Sequence, residues 1–140
     1  MNNEKKLYTK GWVFFGSFLG GPLAGCYLVS KNFETLGQKN LAKKTLIVGI
    51  ITTIILFGSI LFIPEAVLSK IPSSVIPLVY TMAIYQYLVF KQGAAIEEHL
   101  KNGGLKHSGW KVAGIGLLSL VISMLYAFAL AFLLPESLMS

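Results

Sequence analysis

The sequence predicts an all-α, polytopic helical membrane protein, a single membrane domain over residues 1–140, and three observations lead there. First, 54% of residues are apolar and only 13% are charged, about half the charge of an ordinary soluble domain. Second, the charges leave four uninterrupted apolar segments at residues 11–30, 45–63, 72–90 and 112–134, each 19 to 23 residues long. At 1.5 Å per residue such a helix crosses about 30 Å of hydrocarbon. Third, four segments are too few to close a barrel, so helix is the one state that satisfies their backbone in lipid.

Segment one opens with Trp12 and contains "GSFLGGPLAGCYL". Trp12 and the lack of a small-residue cleavage site argue against a removed signal peptide. The following basic loop, residues 31–44, reads "KNFETLGQKNLAKK"; Asn32 suits a helix N-cap and Gly37 a left-handed stop, with "QKNLAKK" leading helically into segment two. A short proline-bounded turn, "PEAVLSKI", joins segments two and three. Segment three is expected to continue as helix into the second basic loop, residues 91–111, until Gly103 and Gly104 end it. Segment four, "VAGIGLLSLVISMLYAFALAFLL", is the most uniformly apolar.

Segment one is broken at Gly20-Gly21-Pro22. Pro22 has no N–H and its ring opposes the carbonyl four residues earlier, so Phe18 loses its helical partner where two glycines leave the backbone bare. In lipid, protein or water must cover that carbonyl. Two geometries do so: a kinked crossing helix, or a re-entrant hairpin turning at the Gly-Gly-Pro. If segment one crosses, the two basic loops hold eight lysines against four on the other side. If it re-enters, the split is eleven to one. Lysine accumulates in cytoplasmic loops, which favours the hairpin; scarcity of surrounding protein in so short a chain favours the kink. Both put loops 31–44 and 91–111 in the cytoplasm and the C-terminus outside.

All twelve basic residues are Lys and all six acids Glu, for a net charge of +6. Without Arg there is no bidentate fork for guanine or phosphate, so no nucleic-acid partner is expected. The lysine-rich loops suit the anionic headgroups of a lipid bilayer instead. Small residues recur at four-residue spacing and mark helix-packing faces at Gly16, Gly25, Gly49, Ser119, Ser123 and Ala127, either within the monomer or toward a homo-oligomer or membrane-protein partner. Tyr80, Gln86 and Tyr87 make segment three the most polar; opposite Gly20, Gly21 and Pro22 they form the candidate pocket or packing site. Glu98 or His99 would be the base of any lipid-directed enzyme, but no spacing pairs two strong ligands on one helical face. No ionisable residue interrupts a span, which disfavours proton relays and ion-coupled carriers. No catalytic, metal or cofactor-binding residue is expected, and no cofactor.

The run "FLGGPLAGCYLVSKNFETLG" followed by "AKKTLIVGI" (residues 18–50) resembles the opening of a widespread family of small, uncharacterised bacterial integral membrane proteins, with looser echoes at "IPLVY" and at the "GG" loop with its "SGW". The resemblance implies a bacterial inner-membrane location and no agreed activity. Cys26, where such sequences carry another small or aromatic residue, argues against essential thiol chemistry. The expected function is therefore non-enzymatic, an accessory or scaffold component. The alternatives are an oligomeric channel or carrier for a neutral or anionic solute centred on the broken helix, and a lipid-directed membrane enzyme.

Overall fold

A computed structural model describes residues 6–136. Over these residues the structure is helical apart from one two-residue strand pair, in the order β1 (Lys6–Leu7), α1 (Lys10–Thr35), α2 (Lys39–Ile60), α3 (Glu65–Leu68), α4 (Val75–Lys101), β2 (Leu105–Lys106) and α5 (Gly109–Leu133). Three helices, α1, α2 and α5, are long and apolar enough to cross a membrane, which is compatible with a multi-pass membrane protein. Segment three, expected as a fourth apolar span, becomes α4; its tyrosines, glutamines and charged C-terminal third keep it outside that group.

Helix α1 is not one rod. Gly21 has φ 83° and ψ −173°, a conformation in which an L side chain meets the following carbonyl and glycine does not. Pro22, with no N–H to lose, then starts a new helix. The arms on either side, residues 10–20 and 22–35, fold back on each other. Asn32 Oδ1 accepts from Tyr8 N at 2.8 Å and Asn32 Nδ2 donates to Tyr8 O at 2.9 Å; along a straight helix those residues would be about 36 Å apart. Gly25 abuts Ser17, and Gly16 lies under Leu28.

The hairpin is the hub on which α2, α4 and α5 each pack. Within their apolar stretches 61% of α1 is buried, against 22% of α2 and 17% of α5. Small residues permit the approach: a Cβ on Gly20 would sit 2.7 Å from the Gly116 carbonyl oxygen, and Gly49 of α2 rests on Cys26. The core of larger side chains, Val13, Leu28, Val29, Phe33, Leu88, Ile96 and Val112, fills the half of the bundle nearest the hairpin's open end.

At that end the chain ties itself together. β1 pairs in parallel with β2, Lys6 opposite Leu105 and Leu7 opposite Lys106, and His107 N donates to Leu7 O at 3.0 Å. Tyr8 stacks on His107 with ring centroids 4.1 Å apart, and Lys10 pairs with Glu97. Helix α4 ends at Lys101 with Gly103 left-handed, and α1 ends before left-handed Gly37. Asn32 is not an N-cap: it lies inside α1, fully buried, as the latch that holds the strap before α1.

Candidate functional site

Of the residues expected to line a pocket, the structure gathers Pro22, Tyr80 and Tyr87. They border a cavity of about 370 Å³ between the second arm of α1, α2 and α4, completed chiefly by Cys26, Lys44, Thr45, Val48 and Ala83. Tyr80 and Tyr87 are seven residues apart and share a helical face; the Tyr80 hydroxyl would lie 3.9 Å from a Cβ on Gly21. Thr45 Oγ1 and Tyr87 Oη are 3.4 Å apart beside Lys44. Apart from the Thr52 hydroxyl and the Cys26 thiol the remaining wall is aliphatic, and no carboxylate or imidazole lines it among the described residues.

Gln86 does not belong to this site. It is exposed on the other side of α4, because the buried face of that helix runs through Thr81, Leu88, Gln92 and Ile96. Gly20 and Gly21 are buried but do not border the cavity. They close the hairpin tip, where α1, α4 and α5 cover the break.

The polar residue that matters on α4 is Gln92, which the sequence reading passed over. Fully buried, it donates from Nε2 to Val29 O at 2.9 Å, tying α4 to the hairpin, while its Oε1 has no partner among the described residues. The signal for it is present in the sequence: residues 81, 88, 92 and 96 form one stripe at helical spacing, and 86 falls off it.

The small-residue faces are spent inside the chain. Gly16 meets Leu28 and Val112, Gly25 meets Ser17 and Ile84, and Gly49 meets Cys26. Ser119 and Ser123 are buried on α5 and Ala127 is half-buried. On α2 the buried positions are Ala42, Thr45, Gly49 and Thr53, a single four-residue stripe.

Outside the cavity, the histidines have structural partners. The His99 ring nitrogen Nε2 is 2.7 Å from Leu105 O, holding the turn after α4. His107, beneath Tyr8, is held below its ordinary pKa by burial and then by Lys111 and Lys6, against a hydrogen bond that its ring donates to the Lys6 backbone carbonyl. The Tyr8 phenol is pushed up to about 12, first by burial and then by Tyr27. Glu98 is exposed. Among the described residues no three of His, Cys, Asp and Glu come together as a metal site. Comparisons with protein-family models, curated proteins and solved structures give no match.

Proposed function

We propose that this chain is an integral membrane protein in which α2, α4 and α5 cross the bilayer and α1 enters it as a re-entrant hairpin, the lysine-rich end facing the cytoplasm. It acts without chemistry of its own, as an accessory or scaffold component that meets anionic headgroups and a membrane or cytoplasmic partner through that end.

The distribution of charge carries this reading. Lys5 lies outside the described residues; of the other eleven lysines only Lys70, between α3 and α4, sits away from the end where β1, the α1–α2 turn and β2 meet. Such a ring suits the cytoplasmic side, and each lysine near an anionic surface contributes about 1 kcal/mol of attraction. Each arm of α1 rises only about 16–21 Å, too short to cross, and both ends are tied to the lysine-rich side. Helix α4 spans about 40 Å, which is long enough for a crossing despite its polar face.

A non-enzymatic role is favoured over a channel by the burial of Gly20 and Gly21 at the break, which protein covers and which do not border the cavity. It is favoured over an enzyme by the structural use of His99. The bacterial inner membrane is the setting implied by the resemblance of residues 18–50.

Membrane-impermeant thiol labelling tests the topology. In a Cys26→Ala background, Lys70→Cys labels in intact cells, whereas Lys6→Cys and Lys106→Cys label only after permeabilisation. Labelling of Lys6→Cys from outside removes the hairpin. For the scaffold role, purification in mild detergent after in-cell crosslinking yields a defined stoichiometric complex, lost when Lys101 and Lys106 become Glu. A bare monomer from crosslinked cells removes the role.

A further inference from the structure

The cavity between α2 and α4 has a polarity of its own. Lys44 stands at one end with the Thr45 and Tyr87 hydroxyls beside it, and Val48, Ala83 and Pro22 lead away from it. From Lys44 to Thr52, the lining of α2 advances eight residues, about 12 Å, most of the ~15 Å depth of one leaflet's hydrocarbon. Lys44, Val48, Thr52 and Ala83 are all exposed, so the cavity is a groove open sideways between two helices, facing the direction from which a lipid would enter. A cation at the lysine-rich end and a mostly apolar channel running toward midplane, with only the Thr52 and Tyr80 hydroxyls and the Cys26 thiol in its deeper wall, match one molecule class in both charge and orientation: an anionic lipid of the same leaflet.

We propose that this groove seats one acyl chain of an anionic phospholipid, whose phosphate is held at Lys44. The chain lies along Val48 and Ala83 and ends near Pro22 at the hairpin tip. The lipid thereby fills the space between α2 and α4, which lean on the hairpin rather than on each other. The Thr45 and Tyr87 hydroxyls serve the ester and phosphate oxygens. This assignment rests on the reading that α2 and α4 cross the membrane.

The test is photocrosslinking of the full chain in nanodiscs, with a diazirine on the acyl chain of phosphatidylglycerol or, at the same mole fraction, of phosphatidylcholine. Adducts mapped by peptide mass are expected to concentrate at residues 44–52 and 80–87. The phosphatidylglycerol yield there should exceed the phosphatidylcholine yield about fivefold, the preference one lysine near an anionic phosphate confers. Lys44→Gln, a surface change that leaves the fold intact, brings the two yields together; Ala83→Trp blocks the groove and removes both. Equal yields for the two headgroups in the wild-type chain, or adducts spread evenly over the outer face of α5, overturn the proposal. If Ala83→Trp fails to fold, the Lys44→Gln comparison decides alone. A folded chain that reconstitutes but labels evenly sinks the groove and leaves the membrane reading standing, whereas a chain that stays soluble without detergent sinks both.

Discussion

Helices α1 and α5 are built on opposite plans. The apolar stretch of α5 has a mean hydropathy of 2.3 and is 17% buried; that of α1 has 1.5 and is 61% buried, with α2 between them at 1.8 and 22%. In a water-soluble protein the most apolar helix goes to the centre. Here the order is reversed, and large side chains such as Phe90, Phe128 and Phe132 stand on the outside. A surface of that kind is rare in contact with water, and it is what lipid as solvent selects. Where surroundings are as apolar as leucine, burial no longer rewards hydrophobicity, and the centre goes to whichever helix allows the closest approach. The hub is made of Gly16, Gly20, Gly25 and the latch Asn32, the shell of leucine and phenylalanine.

The comparison breaks most severely at the hub. Gly20→Leu forces a side chain against the backbone of Gly116, and overpacking of rigid backbone costs about 3 kcal/mol or more; loss of monodisperse protein in detergent is expected. Gly21→Ala, at about 1–3 kcal/mol, adds only a Cβ, but in an extended positive-φ conformation that is essentially reserved for glycine. A normal melt for Gly20→Leu would mean that α5 is not seated on the hairpin.

Next comes the latch. Asn32→Leu keeps the volume and strips both backbone groups of Tyr8 of their partner, each worth about 1–3 kcal/mol when left bare in a buried place. A loss of about 2–3 kcal/mol is expected, less than the sum because the strap can peel away and hydrate. Hydrogen exchange localises it: the amides of Leu7, Tyr8 and His107 lose protection while those around Gly25 keep theirs. If Gly25 opens as well, hub and strap form one cooperative unit.

The strap also responds to pH, through His107 and Tyr8. His107 is held below its ordinary value by burial and by Lys111 and Lys6, so the unfolded strap binds a proton near pH 6.5 that the docked strap resists. Docking is therefore complete above that value and weakens as pH falls from about 7 toward 5. At the alkaline side the sign reverses: Tyr8, pushed up to about 12, keeps its proton while the free phenol loses it near pH 10, so docking weakens again above that. His107→Phe retains the ring stack and abolishes the acid limb. Protection of the Tyr8 amide, measured from pH 5 to 8 and corrected for intrinsic exchange, reads this directly.

These contrasts were unequally visible in the chain. The helical class, the strong apolarity of residues 112–134 and the stops at Gly37 and Gly103 are local properties, and residue type expresses them directly. The small-residue stripe of α2 was legible too, since Thr45, Gly49 and Thr53 repeat at helical spacing. Asn32 was misread because an Asn before a lysine-bearing helix start looks like a cap; its role depends on Tyr8, brought to it only by the fold-back. Gln86 was placed on the pocket face by chemistry alone, although the helical period through Leu88 and Ile96 pointed to Gln92. Which lysine would border a groove was beyond local reasoning, because the groove exists only between two helices that the hairpin holds apart.

The smallest effect is expected on the outer face of α5, and it separates a monomer from an assembly. Leu118, Leu125 and Phe128 are 62%, 64% and 68% exposed, and in the unfolded but inserted chain they would meet the same lipid. Replacing any one with Ala removes the same contacts from both states, so stability should shift by no more than about 0.5 kcal/mol. The equivalent change at Leu28, in the core, should cost about 2–5 kcal/mol. Steric-trapping or urea-in-micelle unfolding of Leu125→Ala and Leu28→Ala in parallel gives the ratio. A Leu125→Ala loss approaching that of Leu28→Ala would mean that another helix covers this face, from a second copy or another membrane protein, and the size of the particle in detergent should then fall with the same substitution.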